Sequence, residues 1–371
     1  MPRHRSALIS TRPLAWMGVL ALAVSGIAAA EALRPAAHEP TPPRQITRSE
    51  AHITPISAIT GVAITVSDLD DSIRWYTSVL DAELVSESTL EGDDFSRLTG
   101  MFAASARAAT LRIGNERLDL IEFLTPRGRA FPADSRGNDR WFQHVAIIVR
   151  DMDEAYARLA ERGVTHASPA PQRLPDWNPK AGGIRAFYFR DPDGHYLEIL
   201  EFPRGKGQDR WQSDDRLFLG IDHTAIVVDD TEASLRYYRD HLGMSVVGGS
   251  ENYGPEQERL NAVFPARLRI TTLRAPSGPA IELLEYLTPR DGRPMPADSR
   301  PADLWHWHIL AETGDPGAMF DACRAAGGAP ISPGAQAGGA LAHAPSDPAL
   351  LARDPDGHAL LFLATPDARR P

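Results

Sequence analysis

Four segments of the chain repeat one pattern, apolar or alternating along its length. They are GVAITVSD (61–68), HVAIIVRD (144–151), HTAIVVDD (223–230) and HILAETGD (308–315), and each ends in an Asp. The apolar runs predict strands, and the terminal Asp suits the start of a helix, where its side chain can accept free backbone N–H groups. Helical spacing follows: Leu69, Ile73, Tyr76 and Leu80 lie three or four apart, as do Met152, Tyr156 and Leu159. Gly163, Gly243 and Gly327 then suit helix ends or the turns after them. Each segment closes on another apolar strand: RLDLIEFL (117–124), HYLEILEF (195–202), AIELLEYL (280–287) and HALLFLAT (358–365). The pattern is strand, helix, then two or three strands, four times over.

The modules also repeat in pairs. SIRWYTSVL (72–80) returns as SLRYYRDHL (234–242), and LTPRGRAFPADSRGNDRWFQH (124–144) as LTPRDGRPMPADSRPADLWHWH (287–308). RDPDGH recurs at 190 and 353. Several segments agree on one period, so the chain is a tandem duplication. Its halves are expected at 57–203 and 219–366, joined by a linker at 204–218.

The N-terminus differs. Arg3, Arg5 and Arg12 precede an uncharged run from Leu14 to Ala30 that ends in three alanines. This is the layout of a cleavable secretory signal peptide over 1–30, followed by a proline-rich flexible leader over 31–56. A run of this length falls short of the roughly 20 residues a spanning helix needs, so no stable membrane insertion is expected after cleavage. The expected location is the periplasm or the outside of the cell.

The 371-residue chain is 43% hydrophobic and 24% charged, a globular composition. Removing residues 1–30, which hold three arginines and no acid, takes the formal charge from −10 to −13. That acidity argues against nucleic acid and anionic membrane surfaces as partners. Cys323 is the one cysteine, so an intrachain disulfide is excluded.

The chemistry sits at two registers of the repeat. The first-strand register reads Gly61, His144, His223 and His308; the last-strand register reads Asp119, Glu198, Glu282 and Leu361. A Glu between apolar neighbours is unfavourable to bury unless it is paired or binds a metal. Alternatively these acids lie on a solvent face, as Glu122, Glu201 and Glu285, three residues further on, also could. Imidazole and carboxylate together suit Zn²⁺, Ni²⁺, Fe²⁺ or Mn²⁺.

Four such modules with the Asp-Pro-Asp-Gly turn resemble the vicinal oxygen chelate superfamily, which includes glyoxalase I, extradiol dioxygenases, methylmalonyl-CoA epimerase and the fosfomycin and bleomycin resistance proteins. The resemblance covers about 57–366. It implies an α+β fold in which four βαβββ modules form two half-open barrels, with metal ligands from the first and last strands of each module. By that implication the ligands are His144, Glu198, His223, Glu282 and His308, with Glu198 and Glu282 also acting in catalysis.

Two pairings of the modules are open. In chain order, one barrel offers Gly61, Asp119, His144 and Glu198, and the other His223, Glu282, His308 and Leu361. If the middle modules pair, their barrel holds His144, Glu198, His223 and Glu282, the full set of glyoxalase I. The outer modules then hold a depleted site. The expected function is a metal-dependent lyase or isomerase acting on a small molecule that chelates the ion through neighbouring oxygens. The alternatives are an Fe(II) ring-cleaving dioxygenase and a metal-free small-molecule binding protein. Export weakens a glutathione adduct as substrate and a CoA thioester more. His306, Trp177 and the two PADSR segments remain as accessory features.

Overall fold

The computed structural model describes residues 55–213 and 215–366. The expected signal peptide and nearly all of the leader lie outside the described residues. Among the described residues no helix is long and apolar enough to cross a membrane.

Each module opens on a buried strand followed by a helix. The strands are Ile56–Thr65, Phe142–Val149, Phe218–Val228 and Trp307–Thr313. Asp68, Asp151 and Asp230 each accept an N–H from three residues on, and so start helices Leu69–Leu80, Met152–Glu161 and Thr231–Leu235. In the fourth module Asp315 accepts from Gly317 and Ala318 instead, and the helix begins at Ala318. Glu122, Glu201 and Glu285 lie on the helix side of their strands. There they accept the N–H of Leu69, Met152 and Thr231, which leaves the opposite face free for chemistry.

The strands form two nine-stranded sheets, and each sheet takes one module from each half of the duplication. One sheet joins module two to module three, through Phe142–Val149 antiparallel to Phe218–Val228. The other joins module one to module four, through Ile56–Thr65 antiparallel to Trp307–Thr313. Within a module the first strand runs parallel to the last. The four modules thus make an inner cup (modules two and three) and an outer cup (modules one and four).

The repeated motifs tie the halves together. In each RDPDGH turn the Asp accepts from its own His and from a tyrosine of the preceding module: Asp191 from His195 and Tyr76, Asp354 from His358 and Tyr238. The PADSR segments form a reciprocal clasp. Arg129 donates to Asp303 and Asp298, and Arg293 to Asp139 and Asp134, with Trp141 stacked on Trp305 between them. A continuous apolar core runs between sheets and helices and draws on all four modules.

Candidate metal centre

The register of the inner sheet places four polar side chains on one face. Across the sheet, His223 lies opposite Ala146, and Ala146 opposite Glu198. In the next row of the same face, His144 lies opposite Ala225, and Ala225 opposite Glu282. Residues paired across strands project to the same side, and so do residues two apart along a strand. Both imidazoles and both carboxylates therefore enter the cup, with the two small alanines leaving room between them.

The side chains converge. His144 Nε2 and His223 Nε2 are 3.2 Å apart. Glu198 Oε2 lies 3.1 Å from the first and 3.7 Å from the second, and Glu282 Oε2 lies 3.4 Å from His223 Nε2. The outward ring nitrogens are both occupied. His223 Nδ1–H donates to Asp222 Oδ2 at 3.1 Å, and His144 Nδ1 to Gln143 Oε1. That orients both rings with Nε2 facing the cup, where an ion would displace the proton that His223 otherwise carries. Asp222 is held in turn by Trp211 Nε1 at 3.0 Å and Arg274 Nη2 at 3.0 Å. Thr272 Oγ1 donates to Glu282 Oε1 at 2.9 Å, and Tyr188 lies over the His144 ring.

Burial opposes a charged His223, but Glu282, Asp222 and Glu198 outweigh it and raise its pKa from 6.5 to about 9. Asp222 moves the other way: burial would raise it, but the His223 hydrogen bond and Arg274 hold it well below the carboxylate range. The pocket thus draws positive charge to the point where His144, His223 and Glu198 meet, with Glu282 beside His223. Donors 2.0–2.2 Å from one ion sit roughly 3–3.6 Å from one another, close to the separations found here. His144, His223 and Glu198 lie within 4.8 Å of one another and fit a divalent ion, with Glu282 beside His223 at the edge of the group; imidazole with carboxylate suits Zn²⁺, Ni²⁺, Fe²⁺ or Mn²⁺. A cavity of about 280 Å³ opens above them.

His308 does not join the four. It occupies the same register of the outer sheet, in the row His308–Ala63–Asp119. The second outer row reads Gly61–Leu310–Leu361, with no donor in it. Asp119 is engaged by Arg117 Nε at 2.8 Å and Nη2 at 2.6 Å, and by Thr110 Oγ1 at 2.9 Å. Burial and the Arg117 charge hold His308 at a pKa of about 3, as a neutral ring. His306 lies beside it, ring centroids 5.6 Å apart, and shares the same residual cavity of about 10 Å³. A Cβ at Gly61 would meet the Arg117 carbonyl oxygen at 2.4 Å, so no side chain fits there without a backbone shift.

Sequence reasoning missed the groups behind the imidazoles. Gln143 and Asp222 directly precede His144 and His223, and a hydrogen-bonding residue next to each strand histidine was a usable signal. Trp211, in the expected linker, gave none. The loop that carries Trp177 reaches the inner cup through Leu174, Lys180 and Ala181. Trp177 stacks on Tyr253 with ring centroids 4.4 Å apart.

The family model for the Glyoxalase/Bleomycin resistance protein/Dioxygenase superfamily matches twice, at 58–199 and 220–362. A 2-epi-5-epi-valiolone epimerase from an Actinomyces species is 35% identical over 153 residues, 40% of this chain and 81% of that protein. A lactoylglutathione lyase from Schizosaccharomyces pombe is 26% identical over 215 residues, 55% of this chain. The match spans 65% of that lyase, just under two thirds of its length. Among solved structures, glyoxalase I from Zea mays superposes with a TM-score of 0.51 at 15% identity, over 83% of this chain and 92% of that one. At that identity the likeness speaks for the fold.

Proposed function

The chain belongs to the glyoxalase/bleomycin resistance protein/dioxygenase superfamily, and we propose that its inner cup is the active site of a metal-dependent isomerase or lyase. The substrate is a small molecule with a C–H next to a carbonyl. The observation that carries this reading is the pair of carboxylates, Glu198 and Glu282, brought from two modules to either side of two oriented imidazoles. When bound, a divalent ion supplies Lewis-acid polarisation of the substrate carbonyl. His144, His223, Glu198 and Glu282 hold it. Glu282 is the more open carboxylate, its side chain 19% exposed against 5% for Glu198. It is therefore placed to take the proton from carbon, with Thr272 orienting it. Once protonated, Glu282 returns that proton to the substrate, while Glu198 stays ionised against both imidazoles. An epimerase and a lyase among the relatives support this class of reaction.

The test is proton exchange. An α-hydroxy ketone is incubated in D₂O with chain stripped and reloaded with Zn²⁺, Ni²⁺ or Mn²⁺, and NMR follows loss of the α-proton signal. Exchange should require the ion and fall about 10²–10⁴-fold in Glu282→Gln. Ion-loaded protein with no exchange on a panel of such ketones would overturn the reading.

One observation favours a second reading. His144, Glu198 and His223 alone form a compact two-imidazole, one-carboxylate group, a donor set that also serves Fe(II) oxygenases. Oxygen uptake by Fe(II)-loaded protein with a catechol would select it. For location, our proposal is export with cleavage near residue 30, checked by an intact-mass loss of about 3 kDa, roughly 30 residues at ~110 Da each.

A further inference from the structure

We infer that a row of buried amides in the inner cup reads substrate hydroxyl groups, so that the substrate is a small, uncharged, polyhydroxylated ketone or aldehyde. This rests on the isomerase or lyase reading of the same cup. The row begins at Asn178, whose Oδ1 accepts the N–H of Lys180 and Ala181 and so fixes the loop. Asn178 Nδ2 donates to Asn252 Oδ1 at 2.7 Å, and Asn252 Nδ2 to Gln257 Oε1 at 2.9 Å. Gln257 Nε2 donates to Asn261 Oδ1, and Asn261 Nδ2 to Tyr286 Oη. All five side chains are buried.

The outer cup is the internal control. Strand Ser245–Tyr253 pairs Asn252 with Leu268, as Glu83–Leu90 pairs Leu90 with Ala106. Helix Pro255–Asn261 stands where Gly92–Thr99 stands in module one. By this alignment Asn252, Gln257, Asn261 and Tyr286 replace Leu90, Phe95, Thr99 and Phe123. In the outer cup Phe95 stacks on Phe123, centroids 5.8 Å apart, and the interior closes to about 10 Å³. The fold is therefore satisfied by apolar residues at these positions. A buried amide row is a liability to stability unless its groups are bonded. It occurs in the cup that also holds the imidazoles and carboxylates.

The chemistry of the spare valences selects the ligand. Asn252 and Gln257 each donate once and accept once within the row. Each keeps one N–H and one oxygen lone pair, and both line the cavity. A hydroxyl donates and accepts, so it matches that pair; a carboxylate or phosphate only accepts and brings charge. The charge has nowhere to go. Glu198 and Glu282 offset a divalent ion, and Asp222 is paired with Arg274. Among the described residues lining the cup, Lys180 is the one lysine or arginine, and it is exposed.

Titration calorimetry on the full chain loaded with Zn²⁺ tests the inference with two ring ketones, a pentahydroxycyclohexanone and 2-hydroxycyclohexanone. The pentahydroxy compound should bind at least about tenfold tighter, and dihydroxyacetone should bind more tightly than its phosphate. Gln257→Leu should remove most of that preference and change 2-hydroxycyclohexanone binding by no more than about twofold. Should that variant fail to fold, the wild-type series decides alone. Equal binding of the two ring ketones, preference for the phosphate, or no binding of any of them would overturn the inference. Failure of the isomerase or lyase reading looks different: hydroxyl-dependent binding persists, but no α-proton exchanges.

Discussion

The inner and outer cups share one strand register and differ in what fills it. In the inner cup the two rows read His223–Ala146–Glu198 and His144–Ala225–Glu282. In the outer cup they read Gly61–Leu310–Leu361 and His308–Ala63–Asp119. One outer row has become apolar, and the other keeps its polar residues but redirects them. Asp119 is neutralised by Arg117 on its own strand, and His308 is left as a neutral ring in a closed interior. The contrast separates the demands of the fold from those of the site. The sheets, the capping aspartates and the helix-anchoring glutamates are common to both cups. Three converging donors with Glu282 beside them, oriented imidazole rings, an open cavity and a buried amide row belong to the inner one.

This contrast can be broken at several points. The largest stability effect is expected at the Arg117–Asp119 pair. Arg117→Leu strands a buried carboxylate, which by itself costs 3–5 kcal/mol for a fully buried pair; with the Arg117 side chain 23% exposed, about 2–3 kcal/mol is expected in urea unfolding. Metal stoichiometry should not change, because the pair belongs to the outer cup. Next is Asp222→Asn, which keeps the Oδ1 acceptor for Trp211 and replaces the Oδ2 acceptor behind His223 by an amide N–H. Ion affinity, read by competition with a chelator, should fall about 10–100-fold.

The effect at His308 is absent at neutral pH and develops only in acid. Its pKa lies at about 3 in the fold against an ordinary 6.5. Between those values the unfolded chain binds more protons than the folded one, so His308 lowers stability progressively as the pH drops through this window. His308→Leu removes that contribution, and the acid-unfolding midpoint should move to lower pH. A midpoint that rises would mean the neutral ring makes a polar contact that this account omits.

Much of this was legible in the sequence because duplication printed the pattern twice. The strand-to-Asp boundaries, the module count and the first- and last-strand registers all follow from period and spacing. So does the separation of Glu198 and Glu282 from Glu201 and Glu285, since three residues of strand reverse the face. Module pairing did not follow. Both pairings satisfy the same local pattern, and the choice between them lies in long-range contacts such as Ala225 opposite His144. For the same reason His308 shares a register with His144 and His223 in sequence but stands apart from them in space. The amide row was hidden because Asn178, Asn252, Gln257 and Asn261 come from a loop, a strand and a helix end, with no shared period. The PADSR repeats stood only as accessory features in the sequence, and the structure places their Asp134 and Asp298 in a salt-bridged clasp between the halves.

The central claim is that one ion is held between modules two and three. Metal analysis of untagged protein, for the wild type and for His144→Ala, His223→Ala and His308→Ala, tests it most directly. The account predicts one ion per wild-type chain and one per His308→Ala chain. It predicts affinity reduced by about a hundredfold or more in His144→Ala and in His223→Ala, beyond what loss of a supporting hydrogen bond gives. Two ions per chain, or an ion lost in His308→Ala and kept in His144→Ala, would contradict it.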